Sequence, residues 1–207
     1  MAEKLMEKSC IEFADALAAK ISVPGGGGAA AYVGALGVAL GNMTANFTTG
    51  KKKYAEYEED IQRIIAEGDI IRAKLIDLVF DDAEAFEPLS KAYAIPKEDP
   101  THDEVLEQAT INALAAPLEM MRQIAKAIEL LEELKVKGSK MLISDVACGA
   151  VMSAAAMRAA ALNVFINTKS LLDRDLAAKL EAEADELLAY VPRAKAVADE
   201  ITDYIRG

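Results

Sequence analysis

Apolar residues recur along most of this chain at intervals of three and four, the spacing that gathers them on one face of an α-helix. Leu5, Met6, Ile11, Phe13, Ala16 and Leu17 stand among charged neighbours and predict an amphipathic helix over residues 3–20. Pro24 keeps the residue before it out of helical geometry, so this helix stops at Ser22-Val23-Pro24. A second helix is predicted from Gly27 or Gly28 to Thr48, with Gly50 as its C-cap. From Tyr54 to Ala92 the pattern is long and charged on one side. Ile61, Ile64, Ile65, Ile71, Leu75, Leu78, Val79 and Phe86 mark its core side, and Pro88 and residues 96–100 end or kink it.

Thr101-His102-Asp103-Glu104 has the form of a capping box, with Thr101 as N-cap and Glu104 reaching back. The helix it opens runs to Lys137, is kinked or split by Pro117 and is closed by Gly138. A helix of small apolar residues follows from Ser144 to Lys169, and a charged one from Asp173 to Ile205 that bends at Pro192. No stretch alternates as a strand does, and no fixed-period repeat is present. The fold class is all-α, a bundle of five or more long helices forming one domain over residues 1–207.

Two runs, 25–43 and 146–166, are apolar enough to raise a membrane question. Glycine and alanine lower the hydrophobicity of the first, while Ser153, Arg158 and Asn163 interrupt the second, where a mid-bilayer arginine is costly. Both read as buried helices of a soluble protein, with a second subunit a candidate for part of the covering. The first residues, MAEKLMEKSC, contain no long apolar segment of a secretion signal, and Cys10 and Cys148 form no CxxC pair. A cytoplasmic protein with reduced thiols is expected. With 34 acidic against 23 basic residues the net charge is −11, which disfavours nucleic acid as a partner.

Candidate chemistry begins with PGGGGAAA, residues 24–31. It formally fits GxGxxA, but a dinucleotide site needs a preceding strand and here a helix precedes; it does not match the Walker pattern. Two compatible readings stay open: the glycines absorb a sharp turn and let helices pack closely, or their backbone N–H groups at a helix N-terminus bind a ligand. His102 is the only histidine and reads as a surface residue of its capping box, so carboxylates, lysines, amides and backbone must carry any catalysis. Lys51-Lys52-Lys53-Tyr54 is a basic patch that either is balanced by Glu56, Glu58, Glu59 and Asp60 or recognises a multiply negative small molecule. Asp81, Asp82 and Glu84 lie beside apolar residues, where burial raises a carboxyl pKa, although a solvated helix face accounts for them equally. Ser144-Asp145 reads as an N-cap. Asn163 and Asn167 share a helix face, four residues apart, and if buried need partners.

Taken in order, PGGGGAAAYVGALGVALGNM, GKKKY, DDAEAF with KAYAIPK, SDVACGA and NVFINTK resemble the cyclodeaminase/cyclohydrolase family of folate enzymes, over about residues 5–175. Each motif alone is weak; their shared order carries the resemblance. It implies an up-and-down helical bundle that forms homodimers and binds a tetrahydrofolate at or near the subunit interface, with no metal and no redox cofactor. It implies either closure of 5-formimidoyltetrahydrofolate to 5,10-methenyltetrahydrofolate with release of ammonia, or hydrolysis of the methenyl compound to 10-formyltetrahydrofolate. On that reading Asp82 and Asp145 are the acid/base candidates. Pro24, Gly25, Gly26 and Gly27 offer backbone, Asn163 and Asn167 bond the pterin, and Lys51, Lys52 and Lys53 meet a polyglutamyl tail. Val23 and Gly28 or Ala29 replace the Thr and Ser common in the family, which removes hydroxyl contacts there. The competing expectation is a non-catalytic helical scaffold whose glycines only permit close packing.

Overall fold

The structure is a computed structural model and describes residues 5–207. Its α-helices are α1 (Cys10–Ala18), α2 (Gly26–Asn46), α3 (Glu58–Tyr93), α4 (His102–Lys137), α5 (Ile143–Thr168), α6 (Arg174–Leu188) and α7 (Tyr190–Arg206). Short 3₁₀ turns occupy Leu5–Glu7, Lys52–Tyr57 and Lys140–Leu142, and no strand occurs among the described residues.

Helices α2 to α5 form a square in which neighbours run antiparallel. The head of α2 meets the second half of α3 at Gly27 and Asp82, and its tail meets the first half, where Asn42 donates to the Ile65 carbonyl (3.3 Å) and the Asp69 carboxylate (2.8 Å). Arg63 near the start of α3 pairs with Glu133 near the end of α4 (2.6 Å). Gly26 faces Asn163 late in α5, and Thr44 donates to the Leu142 carbonyl just before it (3.3 Å). Helices α6 and α7 run parallel to α4, tied to it by Arg122–Glu183, Tyr190–Glu129 and Arg193–Glu132. One core draws on apolar residues from Leu5 to Ile201, with Ile61, Leu75, Met121, Ile128 and Met157 at its centre.

Small residues set how closely α2 and α5 approach. A Cβ at Gly37 would lie 2.7 Å from Ser153 Oγ and 2.9 Å from the Gly149 carbonyl, so backbone meets backbone at this crossing. Both helices pass a membrane-span test by length and composition, with mean hydropathy 1.2 and 1.5, but the bundle buries 61% of the α2 window and only 44% of the α5 one. Leu36 on α2 and Phe47 at its cap, with Met141 in the 3₁₀ turn before α5 and Val151, Leu162 and Ile166 along it, are left exposed.

Several expected boundaries move. The first helix is shorter than residues 3–20, of which 3 and 4 lie outside the described residues; it starts after Ser9, whose side chain and that of Glu12 make a reciprocal capping box. Gly50 has φ +73° but lies beyond the end of α2, which Phe47 caps. Pro88 and Pro117 sit inside uninterrupted helices. The last segment breaks at Ala189, and Pro192 falls in the first turn of α7, where a missing N–H has no intrahelical partner to lose. Thr101 makes no side-chain cap bond, because its hydroxyl and N–H both turn back to Asp99 (2.7 and 2.9 Å). Ser144 does not cap α5 either, since the 3₁₀ turn brings the helix start to Ile143. His102 is buried, not a surface residue: the loop folds back and Nδ1 lies 2.9 Å from the Ile95 carbonyl.

Replacing Gly37 by Ala should destabilise the fold by about 1–3 kcal/mol, since neither backbone can yield without opening the crossing. Urea denaturation reads this directly, and an unchanged midpoint would show that the contact is slack.

Candidate functional site

One end of the square holds a cavity of about 150 Å³ where α2, α3, α4 and α5 converge. Its walls are Ser22, Val23 and Gly25–Gly27 at the head of α2, Asp82, Phe86 and Leu89 along α3, Ala113 of α4, and Asn163, Ile166 and Asn167 of α5. The Val23–Pro24 peptide at its entrance is cis, and Pro24 is buried just behind the wall.

Asp82 is the one ionisable side chain among the described residues of this lining. It lies against Gly27 so closely that any Cβ there would overlap the carboxylate. Burial pushes its pKa up from the ordinary carboxylate value, and the Gly28 N–H partly opposes that shift. The first turn of α2 has no side-chain N-cap, so its unpaired N–H groups and dipole face this carboxylate instead. Close packing therefore accounts for glycine at both ends of the contact. Gly37 lets two helices meet, while Gly27 leaves room for an acid.

Asn163 donates to the Ala159 carbonyl of its own helix (2.8 Å), which leaves its Oδ1 and second N–H facing the cavity beside Gly26. Asn167 lines the same wall, and its side chain makes no hydrogen bond among the described residues. Phe86, expected on the core side of α3, is 38% exposed at the cavity mouth. Its position was open to inference, because Asp82, Phe86 and Leu89 repeat at helical spacing and share a face. Ala113 carried no local signal, since it reaches the site only through the packing of α4.

The remaining candidates stand elsewhere within one chain. Asp145 begins α5, roughly 27 Å along the axis from Asn163. Lys51, Lys52 and Lys53 follow the end of α2, roughly 30 Å from its head. Among the described residues no ion pair joins them directly to Glu56, Glu58, Glu59 or Asp60, and Lys52 and Lys53 are exposed. Glu58 instead receives the Gly50 N–H (2.9 Å) and Gln62 (3.0 Å), and Lys53 lies over the Tyr54 ring at 5.5 Å. Cys10 and Cys148 are unpaired and exposed.

The raised pKa of Asp82 has a definite sign in stability. Above the folded-state pKa the buried charge costs the folded state, and below the unfolded-state pKa both states are protonated and the cost vanishes. Asp82→Asn should therefore stabilise the protein at neutral pH, with the gain disappearing on acidification through the carboxylate range. Thermal melts of both proteins across pH provide the check; a destabilised variant at neutral pH would mean that the carboxylate is net favourable where it lies.

The family model described as formiminotransferase-cyclodeaminase matches residues 9–186. A methenyltetrahydrofolate cyclohydrolase of Methylorubrum extorquens is 39% identical over 181 residues, covering 86% of this chain and 87% of the relative. A formimidoyltransferase-cyclodeaminase of Mus musculus is 30% identical over 175 residues, but that match covers 32% of the mouse protein. The crystal structure of formiminotetrahydrofolate cyclodeaminase from Thermotoga maritima superposes with a TM-score of 0.90 at 32% identity, over 98% of this chain and 100% of its own. The chain belongs to the formiminotransferase-cyclodeaminase family.

Proposed function

We propose that this protein acts at the one-carbon bridge of tetrahydrofolate, hydrolysing 5,10-methenyltetrahydrofolate to 10-formyltetrahydrofolate. The observation that carries the reading is Asp82, a carboxyl of raised pKa enclosed by bare backbone and two amides in a cavity with no other charge among its described lining residues. Such a group takes up a proton more readily than an ordinary carboxylate does, and its negative form favours the cationic methenyl carbon. Asp82 accepts a proton from the attacking water, and a tetrahedral carbon then bridges N5 and N10. The C–N5 bond breaks as N5 takes a proton, leaving the formyl group on N10, and one proton leaves to solvent. Asn163, Asn167 and the backbone of Pro24 to Gly27 hold the pterin. No metal or redox cofactor enters these steps.

The likeness to the Thermotoga cyclodeaminase supports a second reading, closure of 5-formimidoyltetrahydrofolate with loss of ammonia. It passes through the same tetrahedral carbon, with Asp82 protonating the departing amine.

We assign a second copy of the chain to the exposed apolar side of α2 and α5. Arg158 stands exposed in that stripe, which suits a protein partner better than lipid. Ile166 belongs both to the stripe and to the cavity wall, so the site opens toward that face. With the copies antiparallel, the end carrying Asp145, Lys51, Lys52 and Lys53 comes beside the partner's cavity, where the lysines would meet a polyglutamyl tail.

Absorbance of the methenyl bridge, followed with each substrate in turn, tests the function. Its loss with the methenyl compound is expected, slowed about 10²–10⁴-fold in Asp82→Asn. Near-wild-type turnover in that variant would remove Asp82 from the chemistry. Turnover of neither substrate, with no thermal stabilisation by 5-formyltetrahydrofolate, would leave only a helical scaffold. In sedimentation equilibrium the wild type should be a dimer and Leu162→Glu a monomer.

A further inference from the structure

A cavity of about 150 Å³ is small for a ligand of folate size, because ordinary small-molecule sites span ~300–1,000 Å³. The rest of the ligand must lie outside it. A second hollow of about 270 Å³ adjoins it and shares Ser22, Val23 and Phe86 as a common wall. Its inner part is apolar, with Ala83 and the Phe86 ring, and its outer part is polar, with Glu87, Ser90 and Lys91.

We propose that this hollow holds the p-aminobenzoyl-glutamate arm of the folate, with the aromatic ring against Phe86 and the first glutamate's carboxylates on Lys91. The proposal rests on the folate reading above and adds to it residues that the reading did not use. Its strongest support is order. Along α3 come an acid at 82, an aromatic at 86 and a cation at 91, about 6 and 13 Å of helical rise from the acid. Along the ligand come the reacting bridge, the aromatic ring bonded directly to N10, and the carboxylates one amide beyond. The two series run in the same axial direction from one shared point, while the lining of the hollow turns about the helix through Ala83, Ser90 and Glu87 to Lys91, on the side opposite Asp82.

Lys91 can change partners. It is paired with Glu87 at 2.8 Å, but the side chains are 75% and 63% exposed, and an exposed pair of this kind contributes little. A ligand carboxylate would replace Glu87, which stays nearby and repels it. Lys91 would then receive the first glutamate, and the partner's lysine segment only the glutamates that follow. This separates the two basic groups by function.

Isothermal titration of the full chain with monoglutamyl 5-formyltetrahydrofolate, and with 6,7-dimethyltetrahydropterin, which lacks the arm, tests the assignment. Lys91→Gln should weaken folate binding about tenfold. Phe86→Leu should weaken it about fivefold, and Glu87→Gln should tighten it. Lys91→Gln and Glu87→Gln should leave binding of the pterin unchanged, while Phe86→Leu, in the wall the two hollows share, should weaken folate more than the pterin. If Lys91→Gln and Phe86→Leu bind folate as wild type does while Asp82→Asn does not, the arm lies elsewhere and the folate reading stands without it. Equal weakening of folate and pterin would reduce these residues to structural support and overturn the proposal. No folate binding by the wild type would overturn both readings together.

Discussion

A carboxylate partly withdrawn from water needs donors or a positive potential, and the half-buried Asp82 meets both at the head of α2. That contact constrains much of the molecule. Residue 27 can carry no side chain, because the acid occupies the space a Cβ would take. The second half of α3 must lie antiparallel to α2 for the acid to arrive there at all. Helix α5 must approach α2 closely enough for Asn163 to face Gly26, which the backbone contact at Gly37 and Gly149 permits. Helices α6 and α7 then brace α4 from outside through a ladder of ion pairs. A bundle of otherwise ordinary packing thereby holds one acid between bare backbone and two amides.

The helical organisation was legible because the apolar period is strong in α3 and α4 and because glycine and proline bracket α2. What misled was local chemistry with a nearer competitor. Thr101 has the sequence of an N-cap, but Asp99 captures its hydroxyl and N–H first. Pro192 looked like the bend, yet the first turn of a helix accepts proline without loss, and the break falls at Ala189. His102 read as exposed because nothing local announces that residues 95–102 fold back onto their own carbonyl.

The candidate site was legible in proportion to how locally it is built. Gly25 to Gly27, and Asn163 with Asn167, were found as runs or helical pairs, and the structure brings them together with Asp82. Phe86 was visible by spacing but was assigned to the core. Asp145 and the three lysines share the family's motif order with the others while standing at the opposite end of the chain's own bundle. Motif order reports which residues matter to a family and says nothing of which copy of the chain supplies them. The exposed α2–α5 face offers a physical way to bring the two ends together.

A crystal structure of the protein with 5-formyltetrahydrofolate bound addresses the central claim most directly. The account predicts the reduced pterin against the backbone of residues 25–27 and the two asparagines, with the Asp82 carboxyl within hydrogen-bonding reach of the N5–N10 region. A ligand seated elsewhere, with Asp82 still sealed against Gly27 and touching only protein, would contradict it.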